Sequence, residues 1–135
     1  MKKFASLIVL FLFSVSHFYA QMHISTDLRQ DAVFNQDTKK YEITSEDKDE
    51  LTFFEFNKGL TMFKHTTPTI TSSYVISSST QDEENDRWEF EIQSDVGNKY
   101  FMILDIPNDN IRFIYKKEGT TLLVQHHIKR VWFDE

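Results

Sequence analysis

The sequence predicts an all-β fold: a single antiparallel meander of about eight or nine strands, either a small up-and-down barrel or a two-layer sandwich. Three observations carry this reading. Apolar and polar residues alternate with period two along most of the chain after residue 20. A turn-forming cluster separates nearly every apolar run from the next. No helix-period segment is long enough to provide the crossover that parallel strands need.

The first twenty residues form a separate element. Met1-Lys2-Lys3 leads into the apolar run 4–13, the layout of a secretory signal peptide. The run is too short for a membrane span, which takes roughly 20 residues, and Ser14, Ser16 and His17 keep it from extending. Cleavage is expected after Ala20. A cut after Ser16, with Ser14 two residues before it, is the alternative. The chain has no cysteine, so an acylated lipoprotein anchor is excluded, as are disulfides and the thiolate zinc patterns. The expected organisation is a signal peptide over 1–20 and one all-β domain over 21–135. The destination is the periplasm or the medium, with no membrane span in the mature protein.

Loss of Lys2 and Lys3 leaves a side-chain charge of about −8, because all 21 acidic residues lie beyond residue 20. Such a chain repels phosphate backbones, and nucleic acid is excluded as a partner. One domain of this length buries roughly two-thirds of its unfolded surface, enough for a core without staples. The 13 Phe, 5 Tyr and 2 Trp suit a pleated sheet. With only 3 Gly and 2 Pro, the turns must rely on Asn, Asp, Lys and Ser.

Taken in order, residues 35–40 separate Val33-Phe34 from Tyr41-Glu42-Ile43 as a first hairpin. The acidic stretch 45–51 reads as a loop before a strand over 51–56. Asn57-Lys58-Gly59 leads into a strand over 60–65. Ile70, Tyr74 and Ile76 share one parity, and the Ser/Thr-rich stretch 66–80 reads as strand. Asp82-Glu83-Glu84-Asn85-Asp86 lacks the spacing of a calcium loop and reads as a solvated turn. Arg87 to Gln93 alternates without a break: Trp88, Phe90 and Ile92 on one side, charged and amide residues on the other. Asp95-Val96-Gly97-Asn98 precedes a strand over 99–105 that is apolar on both faces, as a covered strand would be. Pro107-Asn108-Asp109-Asn110 and Lys117-Glu118-Gly119 then set off 111–116 and 120–133. In the last segment Leu122 and Val124 have even numbers but Val131 and Phe133 odd ones, which predicts a bulge near His126-His127.

Chemical signatures are sparse. His126 and His127 are adjacent, so a strand points them to opposite faces, and a metal would need one of them plus remote partners such as His23 or His65. They read as one inward and one outward histidine, with no metal site and no cofactor. No serine lies in a Gly-x-Ser-x-Gly elbow, and no Gly-rich phosphate loop is present. No catalytic residue is assigned. Tyr41, Phe63, Phe101, Trp132, Phe133 and one of Phe53 or Phe54 exceed what one small core holds, so some cover a second surface.

The leading expectation is an exported, non-catalytic binding or interaction module of the cell envelope, whose partner is a protein or an envelope component. The alternative is a lipocalin-like carrier of a small apolar ligand, which an internal volume of about 300 Å³ or more would favour. A small hydrolase or inhibitor is the weaker alternative. Two residues are singled out for ligand contact: Trp88, expected in the core, and His126, expected to point inward.

Overall fold

Alternation in Arg87–Ser94 sends Phe90 and Ile92 into the interior and leaves Glu91 and Gln93 in water. The same grammar, repeated around a ring, builds the computed structural model, which describes residues 21–134. The expected signal peptide lies outside the described residues. Eight strands run in order: β1 (Met22–Asn35), β2 (Lys40–Phe56), β3 (Met62–Thr66), β4 (Thr71–Asp82), β5 (Arg87–Ser94), β6 (Lys99–Asp105), β7 (Asn110–Lys117) and β8 (Thr120–Phe133). Each pairs antiparallel with its sequence neighbour, and β8 pairs with β1, closing a barrel. Closure decides between the two architectures left open by the pattern. It also removes the edges of a long meander.

The short turns use left-handed residues where a tight reversal needs them. Glu118 and Gly119 both have positive φ, 52° and 79°, giving a two-residue connection between β7 and β8. Gly97 has φ 90° between β5 and β6. The turn after β2 departs from expectation: the left-handed residue there is Leu60 (φ 53°), not Gly59. Asn57 makes this turn work by accepting hydrogen bonds from the amides of Thr61 and Met62 on its side-chain oxygen. With Leu60 itself buried, burial holds a conformation that the side chain disfavours. Between β6 and β7, Asp105 is 3% exposed and accepts from Asn108 Nδ2 and Arg112 Nη2 at 3.1 Å.

Two bulges re-aim strands β1 and β8. In β1, Met22, Ile24 and Thr26 are buried, a register shift falls between Thr26 and Leu28, and Arg29 then takes the inward position. In β8, Ser25 faces Arg130 and Thr26 faces Ile128, leaving Lys129 as the extra residue. The predicted parity change is therefore real but lies at Lys129, after His126-His127. Residues 45–51, expected as a loop, belong to β2. This strand is long because β1 and β2 continue as a paired ribbon past the end of β3. Along 40–52, β2 has β1 on one side and, among the described residues, no strand on the other.

The hydrophobic core fills the end of the barrel that carries the β2–β3, β4–β5 and β6–β7 turns. Phe54, Phe56, Phe63, Phe90, Met102, Leu104 and Ile111 are at most 1% exposed there. Trp88 is not within it. It is half-buried on the core's flank near the start of β5, stacked beside Phe90 at 6.1 Å. Tyr41, Phe53 and Phe101 do lie on the exposed outer side, and Trp132 stacks on His23 at 5.3 Å. The buried Thr26 and Thr52 hydroxyls bond to each other at 2.6 Å where the core ends. Thr52→Val is expected to lower stability by about 1–3 kcal/mol, since Thr26 is left with an unpaired buried hydroxyl. The Thr26→Val/Thr52→Val pair should recover most of that in urea denaturation. A double variant as unstable as the sum of its parts would contradict this account.

Candidate functional site

Above the core the barrel is not filled. A cavity of about 550 Å³ occupies the end that carries the β1–β2, β3–β4, β5–β6 and β7–β8 turns. The inward positions there are mostly polar, basic or tyrosine where those of the opposite end are phenylalanine and aliphatic. The cause is in the sequence: along β8 the inward series runs Ile128, His126, Val124, and along β3 it runs Phe63, His65.

The floor is a layer of rings. Phe54 stacks on His65 with centroids 4.1 Å apart, and His126 meets His65 edge-on at 5.3 Å. Phe113 lies 6.1 Å from His126 and 6.0 Å from Phe54. These four residues come from β2, β3, β7 and β8, and closure of the ring brings them together. Burial pushes the His126 imidazole down to about 3 and the His65 imidazole to about 4, with the Arg29 charge adding to both effects and His65 to that on His126. Both rings are therefore neutral at pH 7. His65 Nε2 and His126 Nδ1 are buried and, among the described residues, have no hydrogen-bond partner.

The walls carry three tyrosines. Tyr100 meets Tyr74 at 6.1 Å and Tyr115 at 5.3 Å, both edge-on. Burial raises Tyr74 to about 12, helped by Tyr100 and Asp95, and it raises Tyr115 as well. Their hydroxyls stay protonated and can donate. Arg29 enters from β1, opposite His126 in the register, and its Nε donates to Asp31 Oδ1 at 3.0 Å. Lys99, Lys116 and Lys117 stand exposed at the mouth beside the β5–β6 and β7–β8 turns.

Of the two residues singled out in the sequence, His126 is placed inward, 2% exposed, in the cavity floor. Trp88 sits toward the opposite end and does not approach the cavity. His127 points outward and bonds Asp27 at 2.7 Å. Sequence reasoning misses His65 and Arg29 as ligand contacts. The parity His65 shares with Phe63 is a usable signal for His65. Arg29 has none, because the bulge at Asp27 reverses the parity of β1. Among the described residues no group of three or more His, Asp or Glu is placed to hold a metal ion, and no helix is long and apolar enough to cross a membrane. The residues lining the cavity are aromatic, imidazole, hydroxyl and cationic groups, with one amide and one aliphatic side chain. What they can do is enclose a small molecule between aromatic faces and offer it hydroxyl and guanidinium donors.

In comparisons with protein-family models, curated proteins and solved structures, none matches this chain.

Proposed function

We propose that this chain is an exported, non-catalytic binding protein that carries a small, partly aromatic or apolar molecule inside its barrel. The carrying observation is the cavity of about 550 Å³ above a core that is otherwise densely packed. Ligand pockets commonly run from about 300 to 1,000 Å³, and an eight-stranded barrel is the smallest that holds one small ligand. Tyr74, Tyr100, Tyr115 and Phe113 supply flat apolar area at low entropic cost. The mixed lining favours an amphipathic guest over a purely apolar one.

Native mass spectrometry of the mature protein, purified from its producing cells without denaturation, tests the reading. The expected spectrum shows an adduct of a few hundred daltons. Val124 lines the cavity from β8, and Val124→Trp should remove the adduct by filling the lumen while leaving the fold intact. A bare wild-type protein that also fails to take up small aromatic probes would sink the proposal.

A second reading, an interaction module for an envelope protein, draws on the outer side. The stretch 40–52 of β2, which pairs with β1 alone among the described strands, presents free backbone donors and acceptors, and Ile43 and Leu51 are 60% and 45% exposed on it. Strand addition is one way such an edge binds a partner. Charges at Lys40, Glu42, Glu46, Asp47 and Lys48 work against it, so the cavity remains the better-supported site.

A further inference from the structure

The charge of the cavity runs against that of the chain. The sequence holds 21 acidic and 15 basic residues. Yet the cavity is lined by Arg29, Lys99, Lys116 and Lys117, and by no Asp or Glu among the described residues. The three lysines are exposed and solvated, so their contribution is a positive field at the mouth. Arg29 is different. It sits in the wall at the level of the ring floor, with its side chain 39% exposed. Asp31 takes its Nε, and among the described residues no other hydrogen bond reaches its guanidinium. Asp47 is its register partner on β2 but does not line the cavity. A guanidinium held on one edge leaves its other edge for a planar anion, which it binds bidentately.

Resting on the carrier reading above, we propose that the lumen binds an organic anion: a molecule with one carboxylate or sulfonate head held by Arg29, and a flat apolar body against Phe113 and the tyrosines. An inorganic anion leaves most of 550 Å³ unfilled. An organic cation meets three lysines at the mouth and an arginine only partly offset by Asp31. A neutral guest leaves the guanidinium edge unpaired in a partly desolvated wall. The lysines draw the anion to the mouth, Arg29 fixes its head, and the aromatic surfaces take up the rest.

The experiment is calorimetric titration of the mature protein with two fluorophores of similar shape and opposite character. 1-Anilinonaphthalene-8-sulfonate carries the anionic head; N-phenyl-1-naphthylamine lacks it. The anion is expected to bind once per chain and more tightly than the neutral probe. Arg29→Gln should weaken the anion by about tenfold or more, the usual scale for losing a charge-assisted hydrogen bond, and leave the neutral probe nearly unchanged. Arg29→Lys should restore part of the loss. Asp31→Asn removes the competing carboxylate and should tighten the anion, which supplies an independent arm if Arg29→Gln does not fold. Equal affinity for both probes, or indifference of the anion to Arg29 and Asp31, overturns the anion assignment while the carrier reading stands. Failure of both probes to bind wild-type protein overturns both.

Discussion

Acidification from pH 7.5 to pH 5.0 is expected to strip on the order of 3–4 kcal/mol from the folding stability of this domain. The source is the pair of neutral imidazoles in the cavity floor. In the unfolded chain both histidines titrate near their ordinary value of 6.5, whereas in the barrel burial holds His65 at about 4 and His126 at about 3. Between pH 6.5 and 3 the unfolded state therefore binds more protons, and stability falls as the pH falls through that window. At pH 5 the difference is roughly 2 kcal/mol for His126 and somewhat less for the partly exposed His65. No carboxylate among the described residues lines the cavity to offset the effect, and Arg29 opposes protonation of both rings. With total stabilities of about 5–15 kcal/mol common for small domains, the loss is severe. Urea midpoints at the two pH values measure it. His126→Leu, which removes one titrating group and fits the apolar surroundings, should reduce the pH dependence by about half. Midpoints that coincide at pH 7.5 and 5.0 would refute the linkage.

Phe54→Ala is expected to cost about 3–5 kcal/mol, the range for emptying a large aromatic from a packed core. Phe54 is fully buried and touches the ring systems of Phe63, His65, Phe113 and His126. It is the residue through which the core supports the cavity floor. Phe53, next in sequence, points to the outer wall and is 36% exposed. Phe53→Ala should therefore cost under about 1 kcal/mol, as most surface substitutions do. Pairing the two variants cancels residue type and strand position, leaving only the face. Equal shifts in the two melting curves would show that β2 does not sit in the register described. Trp88→Ala, which the sequence alone ranks as a core truncation, falls between these limits because Trp88 is only half-buried on the flank.

The legible parts of the fold are those where one face is dry and the other wet. β5 and the turns at 95–98, 107–110 and 117–119 declare themselves because burial imposes period two and reversal demands special residues. Residues 45–51 do not, since β2 there pairs with β1 on one side and, among the described residues, with no strand on the other, so neither of its faces is forced to be apolar. Barrel and sandwich share one alternation pattern, so closure can be known only from β8 meeting β1. The cavity is half legible. Parity places His126 inward, but its meeting with His65 depends on two strands that are neighbours neither in sequence nor in the sheet. Arg29 is hidden by a single extra residue, Asp27, which turns an apparently outward position inward.

Seven of the eight strand pairings join segments adjacent in the chain, and each can form as a local hairpin. The eighth joins Met22 to Phe133 and Val33 to Leu122, so the ring is sealed by its two extremes. The entropy of bringing such distant ends together must be met in one step. Until β8 pairs, β1 has only β2 beside it and the ring stays open. His126 and Val124 arrive on that final strand. The cavity therefore comes into being only when β8 closes the ring, and a chain without that strand would have walls but no enclosure.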